Sequence, residues 1–411
     1  MTFLALIAAS CFQEAEPGEL TIYGPYVGAE ADLFGEVLAG FEDETGISAS
    51  YIGSSSFQID FEERVTTADL PDVAILPQVA LLEPLLDDEL VSRLDDDTSA
   101  LISETVGPEW SALVSFGGNL FGVPYRFVVK SLVWYRADIF EENGYQVPET
   151  IDELKTLART MISDGHTPWC GGMDAASATG WWATDWVEDL VARRAPDTYY
   201  QWAALETPFT DGDIVDAMGE FQEILTSDGA VAGGRRTILN VRVEDAIAPM
   251  FAEEPGCLMH KQASFQPVWF PEGVSFDDPE LDIFPLPGIE AGPPPMVISG
   301  EIVVATSDNP LNEAFMEYLI TDEAFEPWRS LGGSLVARAE PSDGGAPNPL
   351  DQRLEEMVSN APAVFYDASD FMPQPIGTEE FFAGMIDLVA GSAAPQVASE
   401  IQDRVDALSD D

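Results

Sequence analysis

The sequence predicts an α/β protein of two lobes, and three observations carry that reading. Over residues 20–78 short apolar runs alternate with amphipathic ones, the order that builds a parallel sheet. The same alternation resumes beyond an extended stretch near residue 130. The chain of 411 residues also exceeds one typical domain, and 46% hydrophobic with 10% aromatic residues can bury substantial cores.

Residues 20–23, Leu-Thr-Ile-Tyr, read as a strand broken by Gly24-Pro25. Leu33, Val37 and Phe41 then recur every four residues, with Phe34 and Leu38 beside them, and Gly46 closes the run as a helix C-cap does. Residues 47–52 read as the next strand, 57–67 as the next helix, and 72–76 as a buried strand ending at Pro77-Gln78. Gly122-Val123-Pro124-Tyr125 and residues 128–135 form a long extended segment leaving the first sheet. In the second lobe Thr150-Ile151-Asp152-Glu153 reads as a capping box ahead of Leu154, Leu157, Ala158 and Met161. Residues 211–225 repeat the helical period through Ile214, Met218, Phe221 and Leu225, while 166–171 and 256–260 read as strands. The Pro/Gly-rich stretches 285–295 and 340–349 are loops, either of which suits a crossing between lobes.

Residues 1–10 are uncharged and mostly apolar, and small side chains precede Cys11, the pattern of a signal peptide ending at a lipidated cysteine. Ala8 stands where such a lipobox usually has Leu, and the first basic residue is Arg64, so the true start is expected upstream of Met1. The competing reading is an apolar terminus with an incidental cysteine. Lipidation would make this an exported protein tethered to the membrane by Cys11, with residues 11–19 as a polar tether. No later apolar stretch approaches the roughly 20 residues of a membrane-spanning helix.

The formal charge is −57, from 74 acidic and 17 basic residues. Such a field repels phosphate backbones and anionic lipid, which makes nucleic acid a poor partner, and none is expected. The acids are spread along the chain and read as a solvated surface. The two cysteines besides Cys11, Cys170 and Cys257, form an even pair that one disulfide of an exported protein requires. Closing that loop is worth roughly 4 to 5 kcal/mol in the chain-entropy account. Two buried free thiols are the alternative.

Enzyme signatures are mostly missing. The chain contains no phosphate loop, no Gly-x-Gly-x-x-Gly turn, no His-Glu-x-x-His and no Gly-x-Ser-x-Gly elbow. With His166 and His260 as its only histidines it cannot build a histidine-rich metal site, and neither metal nor cofactor is expected. Instead Gly180-Trp181-Trp182-Ala183-Thr184-Asp185-Trp186 gathers three of the nine tryptophans beside a carboxylate. Sugar rings present an apolar C–H face and polar edges, so a sugar site needs aromatic platforms with amides and carboxylates around them. The same spacing of Trp182 and Trp186 suits one buried helix face, and both readings stand. A second aromatic and amide cluster, Gln262-Ala263-Ser264-Phe265-Gln266, follows Cys257.

The helix ending in Phe41-Glu42-Asp43-Glu44-Thr45-Gly46, then Pro71-Asp72-Val73-Ala74, the Pro124-Tyr125 crossing and the run from Asn309-Pro310 to Phe325 resemble family 1 extracellular solute-binding proteins of ABC importers. Ala178-Thr179-Gly180-Trp181 through Asp189, with Pro255-Gly256-Cys257 and His260-x-Gln262-x-Ser264-Phe265, resembles their alpha-glucoside-binding branch. Trp182 stands where that branch has Pro. The resemblance implies a periplasmic-binding-protein-like fold of type II, with a hinge and an interlobe ligand cleft. Residues 20–125 with 293–335 would form the N-lobe, and 126–292 with 336–411 the C-lobe. It implies a monomeric protein that breaks no bond, takes a carbohydrate and docks on permease subunits.

Ligand contacts are expected in loops at the C-terminal ends of parallel strands. In the N-lobe these are Tyr26, Glu30, Ser55, Phe57 and Gln78. From the crossing and the C-lobe come Arg126, Trp181, Trp182, Asp185, Trp186, Gln262 and Phe265, with Gly300, Glu301, Gly333 and Ser334 as weaker candidates. For Phe57 and Phe265 a core role competes. Two alternatives share the chemistry or the fold: a glycoside hydrolase using a carboxylate pair, and a binding protein for polyamine, iron or peptide.

Overall fold

Apolar runs bounded by Gly and Pro become the strands of the first lobe. The computed structural model describes residues 18–338 and 348–409. Cys11, residues 1–10 and most of the expected tether therefore lie outside the described residues, as does most of the loop read at 340–349. Strands β1 (Glu19–Gly24), β2 (Ser48–Gly53) and β3 (Val73–Leu76) pair in parallel, with Ile22 opposite Tyr51 on one side and Val73 on the other. Parallel neighbours need crossovers, and helices α1 (Ala29–Thr45) and α2 (Phe57–Thr67) supply them. α1 buries Phe34, Val37, Leu38 and Phe41 and stops at Gly46, whose φ of 71° lets its N–H reach the Glu42 carbonyl at 2.8 Å.

The extended segment after residue 121 divides. β4 (Gly122–Val129) belongs to the first sheet, and β5 (Leu132–Arg136) lies between β6 (Met259–Lys261) and β7 (Leu281–Pro285) in a second, antiparallel sheet. β8 (Met296–Ala305) returns to run antiparallel between β4 and β3. With β9 (Leu335–Val336) and β10 (Val364–Tyr366) the first sheet has seven strands, in the order β9-β4-β8-β3-β1-β2, with β10 beside the start of β8. The chain thus passes between sheets at β4–β5 and at β7–β8. β4 runs through the expected lobe boundary at Tyr125, and β10, from a segment given to the C-lobe by sequence, extends the first sheet.

The second lobe packs α3 (Ile151–Asp164), α4 (Trp181–Arg194) and α5 (Gly212–Thr226) with the C-terminal helices around a separate apolar core. The Thr150 hydroxyl accepts from the Glu153 N–H, as the capping box predicts, while the Glu153 carboxylate reaches back to the N–H of Glu149. α4 is buried all round from Trp182 to Arg193, so its charged side chains must find partners inside the lobe. Cys170 and Cys257 form a disulfide.

Two sequence expectations fail here. Residues 166–171 are extended but form only isolated bridges at Trp169, because Pro168 and Gly171-Gly172 interrupt the ladder, and 256–260 contributes only the start of β6. The long strand β8 was not anticipated. Its register shifts between Gly300 and Ile302, a bulge made possible by Gly300: a Cβ there would sit 2.4 Å from Phe127 and 2.5 Å from the Arg126 carbonyl.

Candidate ligand-binding site

Loops after β1, β2 and β3 face α4 and the segment after β6 across a cleft of about 900 Å³, within the range of small-molecule sites. Its floor is made by the crossings. Tyr26, Glu30, Ser55, Phe57 and Gln78 line the N-lobe side, and Arg126, Gly300 and Glu301 line the floor. Trp181, Asp185 and Phe265 line the opposite wall. Phe57 turns most of its ring into the core, stacking on Tyr23 and Phe61 at 5.5 and 5.1 Å.

Five expected residues are elsewhere. Trp182 and Trp186 are 1% and 0% exposed and do not line the cleft. Successive helical positions differ by about 100°, so the face that shows Trp181 to the cleft turns Trp182 inward, where its indole N–H donates to the Lys261 carbonyl at 2.8 Å. Trp186 packs edge-on against Trp169 at 5.2 Å. The Gln262 side-chain oxygen accepts from the Ala263 N–H, and its carbonyl accepts from the Trp134 indole, which keeps it in the core. Gly333 and Ser334 lie behind the crossings: the Gly333 carbonyl accepts from the Ser264 hydroxyl at 2.5 Å, and its N–H donates to Asp351 at 2.7 Å.

Two ion clusters organise the cleft. On the floor Arg126, 2% exposed, donates to Glu301 at 2.8 Å and Glu30 at 3.0 Å, with its guanidinium 4.3 Å from the Trp328 ring and 5.0 Å from that of Tyr26. Burial raises the Glu30 carboxyl although Arg126 opposes it. In the second cluster the Lys130 ammonium bonds Asp185 at 3.0 Å, pairs with Asp367 at 3.4 Å, and sits 5.1 Å from the Trp181 ring. Burial pushes the Asp185 carboxyl up to about 6 against the pull of Lys130. Glu188 and Asp370 are held well above the usual carboxylate range by burial and by the neighbouring Asp367. Burial would raise Asp367 as well, but Lys130 and hydrogen bonding outweigh it and hold its carboxyl below the ordinary value.

Sequence reasoning missed Lys130, Asp367, Asp370 and Trp269, all of which line the cleft. Trp269 packs on Phe265 at 4.8 Å and lies 6.5 Å from Trp181, so three rings share one wall. Lys130 had a signal: it is one of three lysines in 411 residues, and it lies in a strongly apolar segment. Asp367 and Asp370 had none, among 74 acids.

The cleft also leaves polar atoms waiting. Tyr26 Oη, Gln58 Oε1, Gln78 Oε1, Arg126 Nη1 and Glu244 Oε2 are buried without a protein partner among the described residues, and all five side chains line it. No grouping of three or more His, Cys, Asp or Glu able to hold a metal occurs among the described residues.

The profile of the family described as bacterial extracellular solute-binding protein matches residues 27–233. The alpha-glucosides-binding periplasmic protein AglE of Rhizobium meliloti (strain 1021) is 36% identical over 400 residues, covering 95% of this chain and 87% of AglE. The chain belongs to the bacterial extracellular solute-binding proteins. Another relative of this solute-binding protein is the osmoprotective compounds-binding protein GgtB of Synechocystis sp. (strain ATCC 27184 / PCC 6803 / Kazusa), 34% identical over 93% of this chain and 91% of its own. Among solved structures, the bacterial solute receptor AcbH, described with a substrate preference for β-D-galactopyranose, superposes with a TM-score of 0.81. That match covers 95% of this chain and 99% of AcbH at 18% identity, a likeness of fold. The two-lobed α/β architecture expected from the sequence is therefore the fold of this solute-binding protein.

Proposed function

We propose that this solute-binding protein captures an α-glucoside or small oligosaccharide in its cleft and delivers it to the permease of an ABC importer. One observation carries the reading: buried, unpartnered polar atoms of Tyr26, Gln58, Gln78, Arg126 and Glu244 surround a space walled by Trp181, Phe265 and Trp269. A polyhydroxylated ring supplies donors and acceptors at its edges and an apolar face for the indole. The name of AglE, an alpha-glucosides-binding protein, supports the same ligand class.

In this reading Trp181 is the main platform, Phe265 and Phe57 flank the ligand, and Tyr26, Glu30, Ser55, Gln78, Arg126, Asp185 and Glu301 bond hydroxyls, with Gly300 shaping the floor. A ligand that touches both lobes stabilises the closed arrangement, and the closed form is what docks on the permease. The lobes divide at the β4–β5 crossing, at the β7–β8 crossing and again near residue 336. The protein acts as a monomer, anchored outside the cytoplasm through a lipid on Cys11. Titrating the purified protein with maltose, trehalose, sucrose, raffinose, spermidine and ferric ion, read by tryptophan fluorescence, tests the reading. Binding of one or more sugars, recovered intact, is expected. Silence to every sugar, a response to spermidine or iron alone, or hydrolysis of the sugar contradicts it.

A further inference from the structure

We infer that a buried ionic latch, made by Asp189 with Lys261, Arg193 and Ser131, sets the angle between the lobes and the position of the Trp181 wall, so that these four act as positioning residues for capture. The part concerning capture rests on the sugar-binding reading above. None of the four lines the cleft.

Asp189 lies one helical turn beyond Asp185 on α4 and is wholly buried. It accepts from the Ser131 hydroxyl and from the Arg193 guanidinium at 2.9 Å, and pairs with the Lys261 ammonium at 2.9 Å. Burial alone would raise its carboxyl, but Lys261 and Arg193 hold it below its ordinary value, so it is a carboxylate between two cations.

Each partner also grips backbone at a crossing. The Ser131 hydroxyl accepts from the Val297 N–H at 2.8 Å, and Lys130 N–H donates to the Val297 carbonyl at 2.8 Å, joining the β4–β5 crossing to the start of β8. Lys261 donates to the Lys130 carbonyl at 3.2 Å and to the Asp185 carbonyl at 3.1 Å. Arg193 donates to the carbonyls of Leu286 and Pro287 at 2.6 and 2.9 Å, where the chain leaves β7 for the other crossing.

The latch thus ties the β4–β5 and β7–β8 crossings to α4, the helix whose first turns carry Trp181 and Asp185. The facing groups Arg126 and Glu301 sit on β4 and β8, just beyond the same crossings. The relation between the two walls is therefore set at this point.

Packing alone does not explain the arrangement. Taking three charges out of water is costly, and well-packed apolar side chains often hold a core as firmly. Apolar side chains would not reach the carbonyls and amides of the crossings, which is where the polar atoms of this latch are directed.

Ser131→Ala removes the bridging hydroxyl without stranding a charge, and Lys261→Met leaves Asp189 paired with Arg193. Both variants and wild type would be compared well below their melting temperatures. The first readout is the distance distribution between spin labels at the exposed positions Leu101 and Val147, one in each lobe, in the unliganded protein. The second is affinity for maltose. The expected result is a broadened distribution in both variants with maltose affinity weaker by roughly five- to tenfold, the effect of losing about one buried hydrogen bond. Wild-type distributions in both variants overturn the latch, even if their melting temperatures fall. Unchanged affinity in a broadened protein overturns its role in capture. Failure of wild type to bind any sugar while the variants broaden overturns the sugar reading and leaves the latch standing.

Discussion

Trp181 and Trp182 are neighbours in sequence with opposite environments, and substitution should separate them. Trp181→Ala is expected to weaken sugar binding by about 1–3 kcal/mol with little change in stability. Trp182→Ala, which empties a core site and removes the indole bond to the Lys261 carbonyl, should cost about 3–5 kcal/mol of stability in urea unfolding. The tryptophan run was visible in the sequence, but which ring faces the cleft depends on where the helix phase begins. Partners of the Lys130 kind were invisible, since Asp185 lies 55 positions away and only the fold brings it within 3.0 Å. Titration gives another test at this scale. Asp185 and Asp351 are both pushed up to about 6, and Glu30, Glu188 and Asp370 are raised as well. A carboxyl whose folded value exceeds its unfolded one favours the folded state at low pH, and that contribution is lost as pH rises through the folded value. His260, lowered to about 4 by burial, works in the opposite sense below about pH 6.5. Asp185 and Asp351 lose their contribution near pH 6 and Glu188 and Asp370, held well above the usual carboxylate range, lose theirs higher, and together they outweigh one histidine. The unliganded protein should therefore melt higher at pH 5.5 than at pH 8; the reverse order would refute this account of the buried carboxyls.

Helices with a clean period and a chemical stop signal were legible: α1 with Gly46 and α3 with Thr150 fall within a few residues of their expected spans. β8 was not, because its first residues emerge from the Pro/Gly stretch and its partners β3 and β4 lie more than 150 positions away. Residues 166–171 read as a strand in the sequence, whereas the disulfide and isolated bridges hold them without a ladder. That disulfide joins the segment leading to the cleft loop at 174–178 to the start of β6. Replacing both cysteines by serine should lower stability by about 2–5 kcal/mol, measured by denaturant unfolding of the paired variant against wild type. A loss under 1 kcal/mol would mean that the surrounding core, not the bond, holds these segments.

For the whole molecule the dominant physical fact is the charge of −57 on 411 residues. Most of the acids lie on the surface, where self-repulsion is relieved only by counterions, and the Debye length falls from about 10 Å at 0.1 M salt to about 3 Å at 1 M. The melting temperature should rise between low and molar salt; an unchanged or falling value would refute the repulsion account. Within the cleft Arg126 and Lys130 are paired with carboxylates, and unpartnered polar atoms stand ready for an uncharged, hydroxyl-rich ligand. A crystal structure grown with a sugar that binds in solution tests this most directly. The account predicts one sugar ring against the Trp181 face, with hydroxyls bonded to Arg126 Nη1, Gln78 Oε1 and Tyr26 Oη. Sugar bound outside the cleft, or in it without touching Trp181 or these three atoms, would contradict it.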